Sequence, residues 1–193
     1  MAWTPVLTAP RPPDILRPAR RRFPMDVFRC RICTEPCLES VRPMHCPFCG
    51  ARQEYIVPAE AYEPNAIAEL SDKSRESLQK ALAQQVDNSQ FYRGASKVAD
   101  DEEGAALFAA MAAQEARHAE IVCRILGLPA PEELRDTGSC SPSHKENRIE
   151  AGKRQTRLSK IYSKFLEDAS EEGVREVLKA FIEIENDHLG LAG

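Results

Sequence analysis

Two Glu-x-x-His motifs contain the residues whose types and spacing are best suited to chemistry. Glu115 and His118 form one pair, in EARH, and Glu185 and His188 form the other, in ENDH. Residues three apart on a helix share a face, so the carboxylate and imidazole of each pair project to the same side. One such pair arises easily by chance in a glutamate-rich helix. Two pairs at equivalent places in a repeat indicate a metal site inside a helix bundle.

An internal repeat places the two pairs in register. Shifting the second half of the body by seventy positions aligns Tyr162 with Tyr92 and also aligns both Glu-x-x-His motifs. A metal-binding bundle of this plan takes one further carboxylate from each of the other two helices. Two turns before the repeated tyrosines, on nearly the same helix face, the sequence has Gln85 and Gln155. Both expected acids are therefore amides.

Four helices are predicted from about residue 71 onward, where alanine, leucine, glutamate, lysine and glutamine dominate. Ser71 and Asp100 are the expected N-terminal caps of the first two helices. The fold class is mainly α, with a four-helix bundle behind a small N-terminal module. The expected helices cover 71–98, 101–126, 145–168 and about 171 to the C-terminus.

Four cysteines form a strong metal-binding pattern before the helices. Two Cys-x-x-Cys turns, separated by twelve residues, present four thiolates to one ion. Such a site suits zinc or iron, and from these residues alone zinc is favoured because it is the commoner ion in such sites. The structural alternative is a zinc ribbon that only holds a small fold together. The four predicted ligands are Cys30, Cys33, Cys46 and Cys49.

Other residues near these motifs are expected to have plainer roles. Cys37 is predicted to be a loop thiol, and His45 a surface residue or a neighbour of the ligands. Thr34 follows the first Cys-x-x-Cys turn, where a positive φ usually favours glycine. Cys140 and His144 are expected to be solvated in the Ser-rich connection between the second and third helices.

Charge and composition exclude several classes of function. The net charge is −4, but residues 1–25 sum to +4 and the remainder to −8. An acidic body argues against nucleic-acid binding, and no apolar run is long enough to span a membrane. Seven cysteines without a secretory signal indicate a reducing, cytoplasmic compartment.

The predicted organisation begins with an extension of unusual composition. Residues 1–25 contain six prolines and five arginines and are expected to be disordered. Met25 is a candidate natural start, which mass spectrometry of the native N-terminus would test. The expected divisions are 1–25 for this extension, 26–58 for the four-cysteine domain, 59–70 for a linker and 71–193 for the bundle.

Over about residues 26–190 the sequence resembles the rubrerythrin family, in the arrangement with a rubredoxin-like module before a ferritin-like bundle. The resemblance is based on CRIC…CPFCG, the twelve-residue cysteine spacing and the duplicated Glu-x-x-His with its upstream tyrosine. It implies iron rather than zinc at the cysteines, and reduction of hydrogen peroxide at a di-iron site as a defence against oxidative stress. It also implies a homodimer or larger oligomer and a redox partner protein. In such dimers the four-cysteine iron lies near the bundle of the partner, because the two sites of one chain can be too far apart.

The resemblance assigns ligand roles to both Glu-x-x-His pairs and places the two glutamines at ligand positions. Leu158 stands where rubrerythrins carry an extra glutamate, and Tyr92 and Tyr162 match tyrosines that surround the metals. The two remaining glutamates do not balance the charge of two ferric ions in a low-dielectric core. Two expectations follow. The bundle holds one iron or another divalent metal, or it is metal-free with Gln85 and Gln155 hydrogen-bonded to the carboxylates.

Two alternative functions, from different classes, are therefore considered for the chain. The first is a rubrerythrin-type peroxidase, an oxidoreductase with an unconventional bundle site. The second is a non-catalytic electron-transfer or structural module that retains only the four-cysteine metal and uses the bundle for dimerisation or docking. The double glutamine favours the second function, and both Glu-x-x-His pairs in register favour the first.

Overall fold

In the computed structural model of this chain, four long helices joined as two hairpins position the candidate site. The model describes residues 25–65, 67 and 69–192, so the expected disorder of residues 1–24 lies outside the described residues. The first hairpin consists of α1 (Asp72–Lys97) and α2 (Glu102–Leu126). The second consists of α3 (His144–Asp168) and α4 (Glu172–Ala192). The mainly α, ferritin-like fold class is confirmed.

Side-chain caps fix the start of the helices, with one correction. Ser71 accepts a hydrogen bond from the Ser74 amide, as expected for the α1 cap. The α2 cap is Asp101 rather than Asp100. Asp101 has extended backbone, and its carboxylate accepts a 2.6 Å hydrogen bond from the Gly104 amide. Within the described ranges, no helix is long and apolar enough to cross a membrane.

A three-stranded antiparallel sheet forms the N-terminal module. Its strands are β1 (Asp26–Cys30), β2 (Pro36–Glu39) and β3 (Ile56–Pro58), with β1 in the centre. Cys37 lies in β2, paired with Phe28 of β1, so the expectation of a loop thiol is wrong. The last strand of the module, β3, ends at Pro58, and the first helix of the bundle, α1, begins at Asp72. The division into independent domains stays a prediction.

Both Cys-x-x-Cys turns end in a left-handed residue. Thr34 has φ +68° and Gly50 has φ +79°. Each backbone amide closes its turn by donating to the carbonyl of the first cysteine, Cys30 or Cys46. The expected positive φ at Thr34 is therefore confirmed, although a β-branched residue is strained there.

The module packs on the bundle of its own chain. Its buried cysteines and the bundle side chains share one hydrophobic core. Arg124 of α2 donates to the carbonyls of Ile32 and Cys33, at 2.9 and 3.0 Å. Arg52 makes two hydrogen bonds to Asp187 of α4, at 2.9 and 2.7 Å. The expectation that the two sites of one chain lie far apart is wrong for this chain, because these contacts seat the module on its own α2 and α4.

A single carboxylate joins the starts of α1 and α4. Glu171 accepts hydrogen bonds from the Ser71 amide and the Ser74 hydroxyl. Burial by itself would raise the pKa of Glu171, but these hydrogen bonds outweigh it and lower the pKa to about 2. Because the folded pKa lies below its ordinary value, the stabilisation is complete above about pH 4.5 and is lost as the pH falls toward 2.

We predict that Glu171→Gln lowers the free energy of unfolding near pH 7 by about 1 kcal/mol, a figure reduced for partial exposure of the carboxylate. The difference from the unmodified protein should shrink as the pH falls below 4.5, since the carboxylate of the unmodified protein then gains a proton. Urea unfolding at pH 7, 4 and 3 measures it. Glu172→Gln is the matched control, and equal effects of the two substitutions at pH 7 would contradict the prediction.

Candidate metal centres

The four predicted cysteine ligands converge in the module. The Sγ atoms of Cys30 and Cys49 are 3.7 Å apart, and those of Cys33 and Cys46 are 3.6 Å apart. A tetrahedron with metal–sulfur bonds of about 2.3 Å has edges of about 3.8 Å, so the spacing fits one zinc or iron ion. Hydrogen bonds from the neighbouring thiols, with that of Cys30 the largest cause, lower the pKa of Cys46 and favour the thiolate that binds metal.

The two Glu-x-x-His pairs meet at the centre of the bundle. One ligand atom each from Glu115, Glu185 and His188 lie within 4.8 Å of one another. His118 Nδ1 is 3.8 Å from Glu115 Oε2, and His188 Nδ1 is 3.8 Å from Glu185 Oε2. Both glutamates and His118 are fully buried, and His188 is 5% exposed. The structure therefore groups Glu115, Glu185 and His188 around one point, with His118 beside Glu115.

Unpartnered polar atoms mark the same place. A buried polar atom without a hydrogen bond costs about 1–3 kcal/mol, so a group of them indicates a missing ion or solvent. Nine such atoms belong to the site residues of the described chain. They are Gln85 Nε2 and Oε1, Glu115 Oε2, His118 Nδ1, Gln155 Oε1, Tyr162 Oη, Glu185 Oε1 and Oε2, and His188 Nδ1.

Hydrogen bonds on the outer side of each ring fix which nitrogen can bind a metal. His118 Nε2 donates to the Cys49 carbonyl at 2.8 Å, and His188 Nε2 donates to Gln114 Oε1, also at 2.8 Å. Since both partners are acceptors, a neutral ring must carry its lone pair on Nδ1, which faces the glutamates. This arrangement is typical of histidines that ligate a metal.

Electrostatics at the bundle centre also favour a cation. Burial, and then the neighbouring Glu115 carboxylate, raise the pKa of Glu185, while His118 opposes the shift. Burial lowers the pKa of His188, so its ring is held neutral, the state in which imidazole binds metal. A cation between the glutamates would compensate both buried charges.

The metal-free alternative required hydrogen bonds from the two glutamines to the carboxylates, and the structure does not have these bonds. Gln155 Nε2 donates to the Tyr92 hydroxyl at 2.6 Å, and Gln85 makes no hydrogen bond. Both amides are fully buried. The Tyr92 hydroxyl therefore has a hydrogen-bond partner, whereas the Tyr162 hydroxyl has none. Burial first, and then Glu185 and Glu115, raise the pKa of Tyr162, so its phenol stays protonated.

Asn88 is a site residue that the sequence analysis missed. Its Nδ2 lies 3.5 Å from Glu115 Oε1, and its Oδ1 accepts a 2.9 Å hydrogen bond from Arg154. The seventy-residue repeat gave the signal, because Asn88 occupies the position equivalent to Leu158. Leu158 itself is buried and offers no ligand atom.

Outside the site, one further expectation is corrected. His144 is the first residue of α3, half-buried and edge-on to Phe108 with ring centroids 5.6 Å apart, rather than solvated. Cys140 is half-buried and packs beside the same hydrophobic cluster. His45 is exposed on the surface, with Nε2 3.6 Å from Asp187.

Comparison with known proteins supports the family assignment. Residues 76–192, more than half of the chain, match the model of the Rubrerythrin family. The chain belongs to the Rubrerythrin family, whose members bind non-haem iron. No curated protein and no solved structure matches the chain.

The bundle donor set fits one metal ion better than the iron pair of the family. Two buried carboxylates balance the charge of one divalent ion but not that of two ferric ions, and low-dielectric surroundings make the excess costly. Glu115, Glu185 and His188 would hold the ion, and His118 lies beside Glu115. Glutamate and imidazole ligands suit iron among other divalent metals.

We predict that the double substitution Gln85→Glu/Gln155→Glu raises the metal content of the bundle by about one ion per chain, because each new carboxylate adds an anionic ligand at a fully buried position. Elemental analysis after anaerobic loading with ferrous iron measures the gain. The pair Gln84→Glu/Thr156→Glu adds the same charge one residue away on each helix and serves as the control. Equal metal content in both double variants would show that 85 and 155 are not ligand positions.

Proposed function

We propose that this chain is a non-haem iron oxidoreductase that reduces hydrogen peroxide with electrons received through the four-cysteine centre. One observation carries the proposal: Cys49, a candidate ligand in the module, accepts a 2.8 Å hydrogen bond from His118, a candidate ligand in the bundle. The Cys49 residue and one hydrogen bond thus connect the two centres within a single chain. Both partners are buried, so water does not interrupt the connection.

The reaction takes up two electrons and two protons and gives two water molecules from each hydrogen peroxide. Iron bound at the four cysteines would supply electrons one at a time, and iron bound in the bundle would supply the place where peroxide is reduced. An external one-electron reductant, a redox partner protein, would renew them. The chain contributes the buried donor set, the fixed orientation of both imidazoles and the direct connection between the centres.

A cavity gives small molecules access to the edge of the bundle site. It has a volume of about 540 Å³ and lies between the second Cys-x-x-Cys turn and helices α2 and α4. Gln114 and His188 form part of its wall, beside apolar side chains that include Met111 and Ile184. His188 is thus the bundle-site residue that a small molecule in this cavity would meet first.

A second candidate is a non-catalytic electron-transfer or structural module. The amides at positions 85 and 155 favour it, because they leave the bundle with fewer anionic ligands than the family pattern requires. In that case the four-cysteine centre would hold the only metal, iron for electron transfer or zinc for structure. The bundle would then serve for dimerisation or docking to a complex.

We also propose a cytoplasmic homodimer or larger oligomer without nucleic-acid or membrane partners. The acidic body argues against nucleic-acid partners, the seven cysteines, all free in the described structure, support a reducing compartment, and the oligomer is what the family resemblance implies. Size-exclusion chromatography with light scattering tests the oligomeric state.

We predict that the anaerobically purified, dithionite-reduced protein loses the ferrous state of its four-cysteine iron rapidly when mixed with hydrogen peroxide. Replacement of His118 by leucine should slow this oxidation by about 100-fold or more, equivalent to about 2.7 kcal/mol, because it removes both a bundle ligand and the bond to Cys49. Stopped-flow absorption of the thiolate-to-iron bands measures the rate.

The matched control for this experiment is His144→Leu, which replaces a half-buried imidazole away from both centres. Iron and zinc counts on the same samples identify the second candidate, which gives either zinc or one iron per chain. Equal oxidation rates in the His118 variant and the unmodified protein would mean that peroxide reacts at the four-cysteine iron directly, and the proposal would fail.

A further inference from the structure

The second Cys-x-x-Cys turn touches the supports of both imidazole ligands. Cys49 presents its carbonyl to His118 Nε2 at 2.8 Å. The next residue, Gly50, lies against the side chain of Gln114, whose Oε1 accepts the hydrogen bond from His188 Nε2 at 2.8 Å. Two consecutive residues of the metal-binding turn therefore orient one ring directly and the other through a glutamine.

Gly50 leaves no free space at this contact. A Cβ atom at position 50 would lie 2.8 Å from Gln114 Oε1 and 3.4 Å from a methyl group of Ile184. The residue also has φ +79°, which non-glycine residues rarely adopt. Any side chain at position 50 would therefore press on Gln114, so the position of this turn and that of the Gln114 amide are linked.

Gln114 stands outside the internal repeat. The equivalent position in the second half is Ile184, which offers no acceptor to His118. The two rings consequently have different partners, one from the backbone of the module and one from α2. The first partner belongs to the second Cys-x-x-Cys turn and the second contacts it. The hydrogen bonds at both Nε2 atoms therefore depend on this turn rather than on the internal repeat.

We propose that Gln114 is a positioning residue for His188, and that the Cys49–Gly50 turn couples the two metal centres, so that metal in the four-cysteine site raises the affinity of the bundle for its own metal. This inference rests on the proposed function in one respect, namely that the bundle binds metal. Binding free energies are reciprocal, so bundle metal must strengthen retention of the four-cysteine metal by the same factor.

The physical basis is the placement of one proton on each ring. An acceptor at Nε2 keeps the proton there and leaves the Nδ1 lone pair facing the glutamates. Without Gln114 Oε1, the His188 N–H would be buried and unpaired, and the ring would rotate or exchange its proton to Nδ1. Either change removes a ligand atom from the bundle centre.

Cobalt(II) titration tests the positioning role. The four-cysteine site is first filled with zinc, which is spectroscopically silent, and the d–d absorption of cobalt then reports the bundle alone. Gln114→Leu should weaken cobalt binding by about 10- to 100-fold. Gln114→Glu, which keeps an acceptor oxygen, should restore most of the affinity. Gln90→Leu, at a surface amide that donates to Glu133, is the control.

A second readout needs no metal in the bundle. Long-range ¹H–¹⁵N spectra of the zinc-loaded protein should show His188 protonated at Nε2, and Gln114→Leu should shift the ring toward protonation at Nδ1. Loss of zinc to a chelator should be slower when cobalt fills the bundle, and Gln114→Leu should reduce that protection.

The outcomes separate the two proposals. Unchanged cobalt affinity and an unchanged His188 tautomer in Gln114→Leu would overturn the inference even if the unmodified protein binds cobalt and reduces peroxide. A zinc-loaded protein that binds no cobalt would overturn the coupling and the bundle metal together, while the tautomer shift alone would still support the positioning role. Zinc loss that is independent of cobalt would overturn the coupling only.

Discussion

The burial of two carboxylates at the centre of a helix bundle is the constraint on which the rest of this structure depends. Glu115 and Glu185 are fully buried, and three of their four oxygens have no hydrogen-bond partner. Two buried acids without compensation are costly, and the rise in the pKa of Glu185 expresses that cost. The inward Nδ1 atom of His188 provides a neutral ligand rather than positive charge, because burial lowers the pKa of that ring. One divalent cation between the ligand atoms of Glu115, Glu185 and His188 would compensate both buried carboxylates.

The position of the module follows from the same constraint. A ring that ligates through Nδ1 needs an acceptor at Nε2, and a helix cannot supply one from its own backbone, because its carbonyls are already paired. The module supplies the Cys49 carbonyl, and α2 supplies Gln114. Arg124 and Arg52 hold the module in place by bonding to its backbone and to Asp187 of the bundle. The four-cysteine unit therefore completes the bundle site as well as binding its own ion.

Sequence patterns predicted the fold and the four bundle residues because both depend on periodicity along one helix. The spacing of Glu115 and His118 fixes their common face, and the repeat places the second pair opposite the first. The cysteine spacing was equally informative, because each Cys-x-x-Cys turn is a local structure. The predicted α2 cap was wrong by one residue, because Asp100 and Asp101 are both good capping residues. Only the hydrogen bond from the Gly104 amide to Asp101 distinguishes them.

Long-range contacts could not be read in the same way. The Gln155 amide points toward Tyr92 because of its side-chain rotamer, which the internal repeat cannot predict. Docking of the module on its own α2 depends on pairs such as Cys33 and Arg124, which are far apart in the chain. His144 was expected in solvent because its neighbours are serines, yet it begins α3 and packs on Phe108.

The glutamines at 85 and 155 place fully buried, uncharged amides at the site. An amide has nearly the size of a carboxylate but brings no negative charge, so the charge of this centre comes from Glu115 and Glu185. With two acids, a divalent ion leaves the buried centre neutral, whereas a second cation would add charge that low-dielectric surroundings do not screen. Arg154 of α3 donates to Asn88, which itself approaches Glu115, and ion pairs with Asp87 and Glu150 balance the charge of Arg154. The charge of the two buried carboxylates thus favours a single divalent ion over a pair of metal ions at this centre.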